Sequence, residues 1–171
     1  VHRPGDLYQM DAISTFKNGL KRYLVTAIDI KGKFGFAYGY TNLSSQSGAD
    51  FTTKLTQVSP IPIKAIQTDN GSEFAGSTDQ IMQTYGIVHF FTYPRNPKQN
   101  AFIERFNRTI QEEFLASHEE LFFNDLTAFN HALMDYLLFY NTKRIHLSIN
   151  KQTPMDYIIE KSNMYATGAG A

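Results

Sequence analysis

Cysteine is absent from the 171 residues, which removes disulfides, thiolate metal sites and cysteine nucleophiles together and points to a reducing compartment. Net charge is lacking too. Sixteen basic residues balance sixteen acidic ones, so a polyanion would have to be held by a local patch rather than by the field of the whole chain. No stretch reaches the uninterrupted apolar length of a membrane span, and Val1-His2-Arg3-Pro4-Gly5-Asp6 lacks the layout of a signal peptide. The expectation is a soluble cytoplasmic protein with no membrane partner. An initiating methionine is missing, and the chain closes on the small residues Ala166-Thr167-Gly168-Ala169-Gly170-Ala171, so it reads as a piece of a longer protein. What is present is a hydrophobic fraction of 42% with 14% aromatic residues, enough for one globular core, expected over residues 1–160 with 161–171 as a linker or tail.

The order of elements reads as α/β. Leu7 to Ile13 and Tyr23 to Ile30 alternate or run apolar, and Lys17-Asn18-Gly19 joins them as a hairpin turn would. Aromatics at Phe34, Phe36, Tyr38 and Tyr40 recur with a period of two, which gives a third strand one aromatic face. Ser44 to Gln46 offers a cap to a helix carrying Phe51, Leu55 and Val58, stopped by Pro60. The run Ile61 to Ile66 predicts a short buried strand leading to Asp69. Phe74 to Tyr85 then reads as a helix ended by Gly86, and Ile87 to Phe91 as a fifth strand. The prolines of Tyr93 to Gln99 permit neither helix nor ladder. Beyond that loop, helices are predicted from about Asn100 to Leu115 and from Asp125 to Tyr140.

Three carboxylates stand out against this layout. Asp69 sits at a strand's carboxyl end, where reacting groups collect in α/β sheets, although Asn70-Gly71 after it also satisfies a plain turn. Asp11 lies in the first strand among apolar neighbours, where an unpaired carboxylate is costly unless something positive binds it. Glu104 falls on a polar stripe with Asn100, Asn107 and Gln111, at the margin of the apolar stripe Ile103, Phe106, Ile110 and Phe114. For a lone glutamate there, a surface pair with Arg108 is the stronger reading. Taken together, Asp11, Asp69 and Glu104 offer three hard oxygen ligands suited to Mg²⁺ or Mn²⁺, and two such ions serve phosphoryl transfer.

With their surroundings, Asp69-Asn70-Gly71-Ser72-Glu73-Phe74 and Asn100-Ala101-Phe102-Ile103-Glu104-Arg105-Phe106-Asn107-Arg108-Thr109, these residues resemble the Asp-Asp-Glu core of retroviral integrases and bacterial insertion-sequence transposases. Tyr140-Asn141-Thr142-Lys143-Arg144-Ile145-His146 and Thr153-Pro154-Met155-Asp156-Tyr157 are similar to two closing elements of the transposase branch. The likeness runs from roughly Gly5 to Ile159. It implies a ribonuclease H-like fold with a five-stranded mixed sheet flanked by helices, and Asp11, Asp69 and Glu104 as catalytic residues holding two divalent ions. It further implies DNA cutting and joining at element ends and target DNA, action in the bacterial cytoplasm, and a homo-oligomer. Two departures are visible: the interval from Asp69 to Glu104 is one residue shorter than in the best-known members, and Ala101 stands where glycine is usual. A proline loop absorbs the first, and alanine favours the helix start.

Other residues carry two readings. Arg95, Lys98, Arg105 and Arg108 surround Glu104 with positive charge, and Lys143 lies further on; these five are candidate DNA contacts or a solvated face. Arg144 and His146 could touch DNA or pin the last helix to the sheet, with the structural role favoured for His146. His89, His118 and His131 lack the spacing of a zinc site. A purely hydrolytic nuclease of the same fold, or a catalytically silent DNA-binding domain, are the alternatives. The second would be expected to have lost a carboxylate.

Overall fold

The computed structural model describes residues 2–93 and 96–168. Its centre is a five-stranded mixed sheet in the order β3-β2-β1-β4-β5. Strands β1 (Tyr8–Lys17), β2 (Leu20–Asp29) and β3 (Gly35–Tyr40) form an antiparallel meander, and β4 (Ala65–Thr68) and β5 (Val88–Phe91) add to β1 in parallel. The first hairpin is longer than its apolar pattern suggests. Asn18 and Gly19 both take positive φ, 52° and 79°, the turn whose twist matches paired strands, so the ladder runs right up to it. The strand before Asp69 is shifted instead, to Ala65–Thr68, because Pro60 and Pro62 have no N–H to donate to a ladder.

Helices cover both faces. Helix α1 (Ser45–Val58) is capped by Ser44, whose hydroxyl accepts from Ser47 N–H, and it stacks Phe51 on Phe36 of β3 at 5.2 Å between ring centres. The helix expected from Phe74 begins later, as α2 (Ser77–Thr84), after a 3₁₀ turn at Ser72–Phe74 and a positive φ at Gly76. On the opposite face α3 (Ala101–Ile110) runs through a π-helical turn, Gln111–Leu115, into α4 (Ala116–Asn124). The helix expected to end at Leu115 therefore continues to Asn124, where Asp125 turns the chain and caps α5 (Leu126–Thr142). Thr153 caps α6 (Pro154–Ala166), with Pro154 at its first position, and this helix runs past the boundary expected at residue 160.

Strand β3 is a sheet edge, and α5 closes it. Gly35 donates to Asn141 Oδ1 and accepts from its Nδ2, both at 2.9 Å; Gly39 exchanges the same pair of bonds with Asn130 at 2.8 and 3.1 Å. Those groups would otherwise face outward as a template for pairing with another chain. The approach needs glycine, since a Cβ at Gly35 would meet the Phe106 ring at 2.7 Å and one at Gly39 the Phe122 ring at 2.9 Å.

Candidate active site

Register places the two aspartates. In the parallel pair β1–β4, Tyr8 stands opposite Ile66 and Gln9 opposite Gln67, so counting on by two brings Asp11 level with Asp69, one residue beyond β4. Adjacent strands are about 4.8 Å apart, so the two residues stand side by side at one level of the sheet. Asp69 is exposed, and its Oδ1 accepts from Gly71 N–H at 2.7 Å. The turn reading and the strand-end reading thus hold together. Behind it, Thr68 donates its hydroxyl to the Asp69 carbonyl at 2.8 Å and lies 2.8 Å from Nε2 of the buried His89, whose Nδ1 is 3.1 Å from Asp79 Oδ1. This chain fixes the backbone that presents Asp69.

Asp11 is half-buried and has a neutral partner. Asn107 of α3 donates from Nδ2 to Asp11 Oδ2 at 2.9 Å and accepts from the Thr26 hydroxyl at 2.6 Å. Burial pushes the Asp11 carboxyl above its usual range, with the charges of Asp69 and Glu104 adding to the rise and the bonds from Ala12 N–H and Asn107 opposing it. The three carboxylates therefore share one electrostatic field.

Helix α3 is tied to the same strand a second time. Gln9 is almost fully buried; its Oε1 accepts from Ile103 N–H at 2.9 Å and its Nε2 donates to the Gln99 carbonyl. A strand side chain thereby satisfies an N–H that the first turn of α3 leaves open. Glu104 follows directly, with its backbone fixed and its carboxylate exposed. Among the described residues it forms no ion pair with Arg108, so the surface-pair reading finds no contact to support it. Nor, among those residues, are three carboxylate or imidazole groups gathered tightly enough to close around an ion. The donors nevertheless suit a hard divalent cation. Asp11 is half-buried in the field of two other anions, with only the neutral N–H groups of Ala12 and Asn107 as partners, and Glu104 is exposed, with room to turn inward.

The candidate DNA contacts separate. Lys98, on the 3₁₀ turn Pro97–Asn100, and Arg108 are exposed near Glu104; Lys143 is exposed at the end of α5; Arg105 points to the other flank of α3. Arg95 lies outside the described residues. Arg144 is bound on two sides by Glu113 of the π-helical turn, with Nε to Oε1 at 3.0 Å and Nη2 to Oε2 at 2.7 Å, and His146 meets the Tyr140 ring edge-on at 4.7 Å. Both residues pin the end of α5. Sequence reasoning missed Gln9 and the Asp79–His89–Thr68 chain, and it saw Asn107 only as part of a polar stripe.

Two family models described as integrase core domain match the chain, one over residues 1–97 and one over residues 85–154. ORF3 of Spiroplasma virus SpV1-C74, named as an integrase, is 33% identical over an alignment of 173 residues that takes in 89% of this chain and 47% of that protein. The transposase for insertion sequence element IS904 of Lactococcus lactis subsp. lactis (strain IL1403) is 28% identical over 106 residues, 61% of this chain and 40% of that protein. The chain thus spans less than half the length of these relatives. Among solved structures, the catalytic core domain of BIV integrase superposes with a TM-score of 0.70 at 23% identity, covering 95% of this chain and 99% of that one. A chain of the simian T-cell lymphotropic virus intasome in complex with PP2A regulatory subunit B56 gamma gives 0.75 at 17% identity, covering 91% and 54%. At such identities the likeness speaks to the fold, which is α/β and ribonuclease H-like. With a single model matching residues 1–97, more than half of its length, the chain belongs to the integrase core domain family.

Proposed function

We propose that this chain is the catalytic core of a DNA transposase or integrase that cuts the ends of a mobile element and joins their 3′ hydroxyls to target DNA. The observation that carries the reading is the placement of Asp11, within β1, level with Asp69 just past the end of the adjacent β4, with Glu104 on a helix that Gln9 and Asn107 fasten to the strand of Asp11. These three carboxylates would hold two Mg²⁺ or Mn²⁺ ions, which, when bound, activate the attacking oxygen and stabilise the departing one.

The chain's own contribution is placement. Asp11 offers its oxygens from within β1 and Asp69 from just past the end of β4, Asn107 fixes one Asp11 oxygen so that the other is presented, and Glu104 turns in from its exposed position. Lys98 and Arg108 stand beside Glu104 where DNA phosphates would pass, and Lys143 lies further along the surface. In the cutting step a water oxygen displaces a 3′ oxygen from phosphorus, leaving a free 3′ hydroxyl. In the joining step that hydroxyl displaces a target 3′ oxygen, so one phosphorus–oxygen bond forms as another breaks.

Because net charge is zero, binding by this region alone rests on a few local cations and is strongly salt-dependent, with sequence recognition supplied elsewhere in a longer protein. A homo-oligomer in the bacterial cytoplasm is part of the reading, and Leu138 and Phe139, 64% and 47% exposed on α5, offer an apolar face for it. The test is a strand-transfer assay with the longer protein, its element ends and Mg²⁺ or Mn²⁺. Joined products that vanish with Asp69→Asn support the proposal. Cutting without joining would support the hydrolytic nuclease instead, and ion-independent activity would overturn the site.

A further inference from the structure

On the flank of α3 away from Glu104, a cavity of about 320 Å³ opens between that helix, the turn after β2 and the segment following α5. Residues at a spacing of three and four, Phe102, Arg105 and Thr109, form its α3 wall, whereas Glu104, Asn107 and Arg108 face the other way round the cylinder. Lys33, Arg105 and Arg144 all reach the cavity, and among the described residues no aspartate or glutamate lines it. Its size lies at the lower end of the range for ligand pockets.

The cations are held in advance. Lys33 takes a left-handed backbone, φ 63°, in a turn closed by Lys33 N–H to the Asp29 carbonyl and Asp29 N–H to the Phe34 carbonyl, both at 2.9 Å. Its ammonium sits 4.0 Å from the centre of the Phe102 ring and donates to the Ile30 carbonyl. Glu113 engages Nε and Nη2 of Arg144, and among the described residues Nη1 makes no hydrogen bond. Arg105 is exposed and, among the described residues, has no acidic partner. Two unneutralised cations and a partly engaged third thus converge on one space. Beside them are apolar surfaces, Phe102 at 43% and Leu147 at 81% exposure.

We infer that this cavity binds one nucleotide unit of a single DNA strand, its phosphate between Lys33, Arg105 and Arg144 and its base against Phe102 and Leu147. Cations beside an aromatic face are the pairing that single-strand binding uses, with stacking tolerant of base identity. Burial, reinforced by the nearby Lys31 and Arg105 and opposed by Asp29, holds the Lys33 amine down at about 8, as expected of a cation packed without its counter-ion. An anion there would reverse that. The inference rests on the proposed reaction with DNA, and it assigns a place across α3 from the carboxylates for a strand leaving them.

The test is an NMR titration, in EDTA, of the chain carrying Asp69→Asn, using pentathymidylate, inorganic phosphate and a poly-glutamate peptide. Expected are shifts of Phe102, Tyr140 and Arg144 Nε with the oligonucleotide, with phosphate acting only at far higher concentration. Lys33→Gln and the exposed Arg105→Ala should each weaken oligonucleotide binding about tenfold or more and lower the salt slope by about one, while Lys33→Arg restores most of it. Unchanged affinity in both variants overturns the inference. So does phosphate binding as tightly as the oligonucleotide, and the glutamate peptide moving the same resonances more strongly would assign the cavity to a protein partner. Strand transfer is measured separately. A parent that joins DNA while Lys33→Gln and Arg105→Ala bind normally refutes this inference alone; a parent inactive on DNA whose cavity still takes the oligonucleotide refutes the proposed reaction alone.

Discussion

The two flanks of α3 carry opposite charge and are built by the same device. On one, Asp11, Asp69 and Glu104 lie in one another's field; on the other, Lys33, Arg105 and Arg144 surround a cavity that, among the described residues, no carboxylate lines. Each flank has an anchor that does not itself react: Asn107, held by Thr26, orients Asp11, and Glu113, held by the Tyr136 hydroxyl at 2.9 Å, orients Arg144. The buried stripe of Ile103, Phe106 and Ile110 sets the rotation of the helix and so assigns each charge to its side. Like charges stay together at a cost in stability when the group that would neutralise them comes from outside the chain.

The largest effect should come from emptying the acidic flank. Asp11→Asn, Asp69→Asn and Glu104→Gln should each reduce divalent-dependent strand transfer by about 10³-fold or more, since loss of an ion ligand removes several kcal/mol of transition-state stabilisation. The fold should not suffer. Burial and two neighbouring anions already disfavour the charge on Asp11, so Asp11→Asn should raise the melting temperature in EDTA. A variant that lost activity only by melting well below the parent would remove Asp11 from the site and make it a packing residue.

How much of this the sequence discloses differs between the flanks. The carboxylates are legible because strand ends, the Asp-Asn-Gly turn and the helical stripe are local patterns, and the structure puts Asp11 and Asp69 level and Glu104 at the stripe's margin. The cap at Ser44 is legible for the same reason. What joins the flanks is not. Gln9 meets Ile103 across 94 residues and Asn107 meets Asp11 across 96; periodicity tells which face a residue occupies, not which strand lies opposite. The cavity is further hidden because Lys33, Arg105 and Arg144 come from three separate segments, and each by itself reads as a solvated cation. The helix ends were misjudged where a π-helical turn let α3 run on past Leu115 without a break in backbone bonding.

Next in size is the acidic flank's anchor. Asn107→Leu keeps the side-chain volume but leaves Asp11 Oδ2 and the Thr26 hydroxyl without their partner in a buried place, which should cost about 1–3 kcal/mol in urea unfolding. Mn²⁺ affinity should fall about 10–100-fold through the loss of an orienting bond. Stability lost with ion affinity intact would show that Asn107 serves packing only.

The corresponding anchor on the basic flank should matter less. Glu113 and Arg144 are each about a third exposed, so Glu113→Gln should cost about 1 kcal/mol or less once solvent screening is allowed for. Burial alone would raise the Glu113 carboxyl, but the bonds from Arg144 and Tyr136 and the charge of Arg144 outweigh it and hold it below its usual range. Its folded value is thus lower than its unfolded one, so the contribution is fully present above the unfolded value and lost as pH falls through the folded one. The gap between parent and Glu113→Gln should accordingly close in acid, and a gap that widened below pH 4 would assign the pair no role.

The smallest effect should have the opposite sign. Lys33 is held at about 8 in the folded chain, chiefly by burial, with Lys31 and Arg105 adding and Asp29 opposing, whereas an unfolded lysine titrates near 10.4. Between those two values the unfolded chain binds more protons than the folded one, so this residue's contribution improves as pH rises through that window and is lost as pH falls through about 8. Replacing it by an uncharged residue of similar length should therefore stabilise the protein at neutral pH. Lys33→Met retains the left-handed backbone and the contact with Phe102, and it should melt above the parent at pH 7 by an amount worth less than about 1 kcal/mol, because the amine is only partly buried. By pH 10.5 most of the gap should have closed, since the folded amine is then neutral and the unfolded one about half so. Adding phosphate at pH 7 should close the gap from the other side by stabilising the parent alone. A difference constant from pH 7 to 10.5 and indifferent to phosphate would show that Lys33 is an ordinary solvated cation, leaving α3 with one charged flank instead of two.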